Sequence, residues 1–402
     1  MLESIREYAW ERLQNSGELD VMRQRYAAYY REFVLESESK LTGGEQAAVF
    51  KALQSEADNL RAVLAWSLQQ EGDATALQMC GVLWRWWAAY SHLREGRSWL
   101  ERALTHQPAA PPALRAQLLL GAGRLAFFQE DYSAAQKRLE QSLALYRQLA
   151  DQEGLAWVID ALGALALRRK EYAQARQLFE ESLALHRATG NRRGISHALD
   201  DLGKTAFRQG DIEQAAHLFE ESLQLRRQFG SAEGTAVAIV NLSEAVALQG
   251  DYGRAETLLQ EGLQLYRQLG QTFGIIVCLG NLGQIKQQQA DFQGAVKLRV
   301  ESLNLVRRVE QEEKELVVEA LIGLAGSLHH AGKGYQAAQV LSAAESRLDS
   351  LDSNPALQTQ YHRDWEVLHA QLDKTVWDRA WDEGQTISLA EIVAVNSPQA
   401  AG

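Results

Sequence analysis

An acidic residue followed by an aromatic or aliphatic one returns every 40 residues along the middle of this chain, at Asp131-Tyr132, Glu171-Tyr172, Asp211-Ile212, Asp251-Tyr252 and Asp291-Phe292. Eight residues before each pair stands Gly123, Gly163, Gly203, Ser243 or Gly283. Four residues after the acidic one stands Ala135, Ala175, Ala215, Ala255 or Ala295. Ten to twelve residues after it come Gln141-Ser142-Leu143, Glu181-Ser182-Leu183, Glu221-Ser222-Leu223, Glu261-Gly262-Leu263 and Glu301-Ser302-Leu303. Five copies keep this register without an insertion. A sixth runs from Gly323 to about Leu348, with extra residues around Gly332-Lys333-Gly334-Tyr335. A fixed period of this length marks a chain of supersecondary units, none of which buries its apolar face alone, so neighbours must stack.

Each unit reads as two helices. Pro108, Pro111, Pro112, Pro355 and Pro398 are the five prolines, which leaves Ala113 to Asn354 free of them. A proline in a helix interior costs about 3 kcal/mol, so the gap predicts a mainly helical stretch. Leu162, Gly163 and Ala166 fall on one face of a first helix, and Ala175, Phe179 and Leu183 on one face of a second. Small residues let the two approach while Leu and Phe fill the space between them. Arg208-Gln209-Gly210-Asp211 and Leu248-Gln249-Gly250-Asp251 predict a Gly stop followed by an Asp cap. Thr189-Gly190-Asn191 and Phe229-Gly230-Ser231 predict the same between units. The fold class is all-α, an α-solenoid of helical hairpins.

The segment DDLGKTAFRQGDIEQAAHLFEESLQL resembles a tetratricopeptide repeat, in its Leu-Gly pair, its Gly-Asp turn, the Ala that follows and the Phe four residues further on. The resemblance covers Ala113 to about Leu348 and implies a right-handed α-solenoid. The period here is 40 residues rather than about 34, which implies the longer helices of the repeat subclass found in regulatory proteins. Upstream, His92 to Leu104 imitates a second helix with Gly96 in the Ala position, and Ala74 to Tyr90 reads as its partner. A further pair spans about Glu45 to Gln70. Trp84, Trp86, Trp87 and Trp99 are expected to pack between these degenerate hairpins. The segments MLESIREYAWERL, EADNLRAVLAW and HLREGRSWLERAL, with the tail from Trp377 to Glu391, resemble the C-terminal sensor region of bacterial multidomain signalling ATPases and LuxR-type transcriptional regulators. The resemblance implies a winged-helix remnant and linker over residues 1–40, degenerate hairpins over 41–112, six repeats over 113–350, and capping helices with a disordered tail over 351–402. Ser388 with Glu391 predicts a capping box opening a short last helix, and the tail is expected to cover the apolar end of the array.

Other chemistry is sparse. A net charge of −11 disfavours a general nucleic-acid binder, which needs excess Lys and Arg for phosphates. Cys80 and Cys278 make no metal-ligand spacing and no disulfide framework, which suits a reducing cytoplasm. Neither a signal peptide nor a run of ~18 apolar residues is found, so no membrane role is expected. Ala198 to Thr205 satisfies a permissive phosphate-loop pattern, but it sits in register with Gly163 and Gly283 inside a predicted helix, whose N–H groups are spent internally. His329-His330 are adjacent and expected to be exposed rather than to share a metal. Recurrent carboxylate pairs such as Glu180-Glu181 mark a solvated face. The reading is therefore no catalytic site, no metal and no cofactor.

In tetratricopeptide arrays the first helices line a concave groove, and the resemblance carries that role to particular positions here. One line of residues is Gly121, Ala161, Asp201, Asn241, Asn281, where the family often holds a peptide backbone or carboxylate with Asn. Its neighbours are Leu120, Asp160, Asp200, Val240, Gly280, then Arg124, Ala164, Lys204, Glu244, Gln284, then Phe128, Arg168, Arg208, Leu248, Gln288. The candidate ligand residues are Trp157, Arg168, His197, Asp200, Asp201, Lys204, Arg208, Asn241, Glu244, Asn281, Gln284 and Gln288. The expected partner is a protein or peptide, and the expected function a binding scaffold that senses a ligand for a bacterial signalling or transcription-regulatory system. The alternatives are a DNA-binding regulator, or part of an ATP-driven switch whose ATPase lies outside this chain.

Overall fold

The computed structural model describes residue 8 and residues 11–41, 45–70, 72–89, 92–106, 110–308, 314–348 and 355–397. Most of the first ten residues, Tyr90, Pro108 and the last residues of the tail lie outside them, and so do the expectations placed there. Among the described residues every regular element is a helix. None of these helices is long and apolar enough to cross a membrane.

The chain divides into two compact units. Unit 1 comprises residues 1–210 and 224–231. It holds α1 (Leu19–Ser37), α2 (Gln46–Ser55), α3 (Ala57–Ser67), α4 (Thr75–Ala89), α5 (Leu93–His106), α6 (Pro112–Phe128), α7 (Tyr132–Leu149), α8 (Gln152–Arg168), α9 (Tyr172–Ala188), α10 (Arg192–Arg208) and the end of α11 (Ile212–Gln228). Unit 2 comprises residues 211–223 and 232–402. It takes the start of α11, then α12 (Ala232–Leu248), α13 (Tyr252–Leu269), α14 (Thr272–Gln288), α15 (Phe292–Val306), α16 (Lys314–His330), α17 (Gly334–Leu348), α18 (Pro355–Gln371), α19 (Lys374–Thr386) and α20 (Leu389–Asn396).

Turn chemistry sets the helix lengths. Asp131, Asp251 and Asp291 accept hydrogen bonds from the backbone N–H groups of Ala134, Arg254 and Gly294 at 2.9–3.1 Å, satisfying donors that a helix start leaves open. Asp151 and Asn191 cap α8 and α10 likewise, through Gly154 and Gly194. Glu171 makes no such bond. A left-handed residue ends the helix before each cap, and these residues fall 20 apart from 130 to 290. Glycine holds five of these nine positions; Glu130, Ala150, Lys170 and Ala290 adopt the same positive φ, between 53° and 62°.

Within a hairpin the small residues do what their spacing predicts. A Cβ on Gly123 would stand 2.7 Å from the Leu139 side chain, and one on Gly163 2.7 Å from the Phe179 ring. The recurrent Ser pins the pair: Ser142 Oγ donates to the Ala116 carbonyl at 2.8 Å, and Ser182 Oγ to that of Ala156 at 3.0 Å. In the degenerate region Trp86, Trp87 and Trp99 are buried, and Gly96 leaves room for the Trp87 ring. In unit 2, Trp377, Ala380, Leu389 and Ile392 of the tail join the core built by α16 and α17. Ser388 and Glu391 form the expected capping box on α20.

Candidate functional site

The first helices place the candidate residues in two separate settings, one in each unit. In unit 1, Asp160 on α8 is fully buried. It accepts from Arg124 Nη2 at 2.5 Å through Oδ2, and lies 3.2 Å from His197 Nδ1 through Oδ1. Asp201, also buried, is 3.4 Å from the same His197 nitrogen and 2.8 Å from Lys204 Nζ. Asp200 pairs with Arg226. Burial pushes the Asp160 carboxyl up, but His197 and Arg124 outweigh it and hold the group well below the usual carboxylate range. Burial pulls the Lys204 ammonium down, and Asp201 and Asp200 more than restore it. Asp200 and Asp201 are thus occupied by internal cations rather than offered to the groove.

Asp160, His197 and Asp201 bring ligand atoms within 4.8 Å of one another, a donor set that suits a metal ion. Arg124 and Lys204 already neutralise both carboxylates, so a cation entering here would have to displace them. The phosphate-loop-like segment Ala198 to Thr205 lies inside continuous α10, with Thr205 Oγ1 donating to the Asp201 carbonyl at 2.7 Å.

Trp157 stands between two histidines, its ring centroid 4.7 Å from His186 and 5.8 Å from His197. The Arg193 guanidinium lies 5.3 Å from its ring centre. Burial lowers Arg193 to about 10, and Arg85, Arg226 and Arg124 add to the effect. Arg168 and Arg208 are exposed at the ends of their helices.

In unit 2 the amides come together. Asn281, Gln284 and Gln288 on α14 stand between a hollow of about 190 Å³, which Glu244 and Leu248 of α12 also line, and a larger cavity of about 400 Å³. That cavity is closed by Gln287, by Arg299 of α15, by Glu319, His329 and His330 of α16, and by Arg363 and Asp364 of α18. Asn241, one hairpin earlier, is half-buried and its Nδ2 has no partner. Burial raises the carboxyls of Glu319 and Asp364 and lowers His329. The expectation that His329 and His330 form an exposed pair needs correction: His329 is half-buried in the cavity wall, and only His330 is exposed, stacked on Phe292 at 5.5 Å.

Sequence reasoning missed Arg299, Glu319 and Asp364. Asp364 lies beyond the last repeat, whereas Glu319 keeps the register, 40 residues after Leu279 in a position held by Leu119, Ile159, Leu199 and Ile239. Arg299 carried a readable signal, because it occupies the position held by Leu139, Phe179, Phe219 and Leu259. The cysteines Cys80 and Cys278 are free and buried, and burial pushes the Cys278 thiol up to about 12, away from nucleophilic use.

Residues 114–188, 152–228 and 194–268 match the tetratricopeptide repeat family, so this stretch of the chain is built of tetratricopeptide repeats. Over 171 residues the chain is 33% identical to proteins provisionally named HTH-type transcriptional regulators in Mycobacterium bovis and Mycobacterium tuberculosis, covering 40% of this chain and 19% of the relative. The match thus takes in about a fifth of the length of those curated relatives. Among solved structures, a Rap protein complexed with competence and sporulation factor aligns over 87% of this chain and 100% of its own, with a TM-score of 0.55 and 14% identity. The apo quorum sensor NprR of B. thuringiensis aligns over 87% and 99%, with a TM-score of 0.53 and 12% identity. At such identities the likeness is one of fold.

Proposed function

We propose that this chain is a non-catalytic peptide-binding scaffold, the sensing arm of a bacterial transcription-regulatory protein acting in the cytoplasm. The observation that carries the reading is the amide wall of unit 2. Among the described residues, Asn281, Gln284 and Gln288 make no hydrogen bond with the rest of the chain, yet all three line the 400 Å³ cavity. Side-chain amides offer a donor and an acceptor together, which is what an extended peptide backbone needs. The likeness to Rap with its bound factor supports the reading, as does an NprR complex with its cognate peptide, at a TM-score of 0.51. The mycobacterial relatives support the regulatory setting. We further infer a division of the chain at residues 40, 112 and 350.

The experiment is equilibrium dialysis of the full chain against a pool of random hexapeptides, read by mass spectrometry. Retention of particular sequences is expected, with a loss of about tenfold or more when Asn281, Gln284 and Gln288 are replaced together by Ala, two to three amide contacts each contributing about 0.5–1.5 kcal/mol. A chain that retains no peptide would end this reading.

A further inference from the structure

Arg299 breaks a rule that the four preceding repeats obey. The same second-helix position is Leu139, Phe179, Phe219 and Leu259 in the four repeats before it, each 0–2% exposed. In the fifth repeat an arginine enters that core position, and the surroundings admit it through two glycines. A Cβ on Gly283 of α14 would stand 2.9 Å from Arg299 Nε, and one on Gly323 of α16 would overlap Nη1. The guanidinium therefore threads between two first helices and reaches the 400 Å³ cavity.

It arrives there without a partner. Nε is sealed from solvent with nothing to donate to, and among the described residues the side chain makes no hydrogen bond and no ion pair. Glu319 acts on it only across a distance, and burial outweighs that effect. A half-buried arginine with its Nε sealed and no carboxylate beside it is costly, and hydrophobic residues of similar size are often better for stability. A planar donor fork held in place and left empty is what bidentate recognition of an oxyanion requires. Glu319 and Asp364 in the same wall would repel a dianion, which disfavours a phosphate monoester and suits a singly charged carboxylate.

We propose that Arg299 is the anchor of the cavity and holds a carboxylate of the bound peptide, with Asn281, Gln284 and Gln288 taking the adjoining backbone. This rests on the peptide-binding reading and adds the chemical group that the ligand must present. It also assigns the arginine a cost to folding that binding offsets.

Three hexapeptide pools test it on the full chain by equilibrium dialysis: free C-terminal carboxyl without Asp or Glu, amidated without Asp or Glu, and amidated with one Glu. The first or the third is expected to be retained at least about tenfold better than the second, since a charge-assisted bidentate contact contributes upwards of about a factor of ten. Which of the two it is tells a chain terminus from an acidic side chain. Arg299→Leu restores a side chain of the preceding repeats, so it is expected to keep the helical circular dichroism and melt no lower than wild type while losing the discrimination. Arg299→Lys, which keeps charge without the fork, is expected to fall between them. Equal retention of all three pools by wild type, or undiminished discrimination in folded Arg299→Leu, would overturn the assignment while leaving peptide binding intact. Retention of no pool would remove both.

Discussion

His186 is expected to make unit 1 acid-sensitive well above the range in which carboxylates titrate. It stands at a position that holds Tyr146 and Tyr266 in other repeats, packed on Gly194 as those rings pack on Gly154 and Gly274. The side chain is fully buried, and neither ring nitrogen has a hydrogen-bond partner. Burial lowers its pKa from 6.5 to about 4, with Asp160 opposing and His197 and Arg193 reinforcing. The folded value lies below the unfolded one, so between the two the unfolded chain binds more protons and stability falls as pH falls. The penalty is nearly absent at pH 7, reaches about 2 kcal/mol at pH 5, and approaches about 3 kcal/mol once pH drops below the folded value. His186→Tyr substitutes the side chain that the fold already accommodates elsewhere, so its stability at pH 7 should lie within about 1 kcal/mol of wild type. Urea denaturation at pH 7 and pH 5 compares the two proteins. Hydrogen exchange of the α8–α10 amides reads the same unit locally, because repeat arrays need not unfold in one step. Wild type should lose about 2 kcal/mol more than His186→Tyr between those pH values. Equal losses, or a His186 ring that titrates near 6.5 by NMR, would refute the argument.

Three further outcomes follow from the same geometry. Asp160→Asn leaves Arg124 and His197 facing a neutral amide in a buried site and should cost unit 1 about 3 kcal/mol at pH 7, read by urea denaturation. Because the Asp160 pKa is depressed in the fold, that contribution is present above the unfolded carboxylate value of about 4 and is lost as pH falls below it, so wild type and variant should converge in strong acid. Lys170→Gly relieves a left-handed residue at φ 62° and should raise the midpoint by the equivalent of about 0.5–1 kcal/mol, whereas Gly210→Ala should lower it. Ser182→Ala removes the 3.0 Å bond to the Ala156 carbonyl and should cost about 1 kcal/mol, seen as faster amide exchange in α8 and α9 and not in α16 and α17.

The hairpins, their caps and their close contacts were readable in the chain because each depends on residues near one another in sequence. Gly163 meets Phe179 sixteen positions away, and Asp131 caps a helix three residues on, so a strict period exposes them. The repeats also placed Asn281, Gln284 and Gln288 together on one first helix, α14. What spacing did not carry is which of those polar residues are already spent. Asp200 and Asp201 look like groove residues along the chain; Lys204 and His197 claim Asp201 from the same helix, three and four positions away, whereas the claims of Arg226 on Asp200 and of Arg124 on Asp160 depend on distances between helices that a linear pattern leaves open. The cavity had the same limit. Its far wall comes from α18, beyond the last repeat, where no register predicts what Asp364 or Arg363 will face. Arg299 lies between the two cases. Its departure from a Leu and Phe position is visible in the sequence alone, whereas only the packed helices decide that its Nε is sealed and unpaired and that its guanidinium lines a space that another molecule can fill.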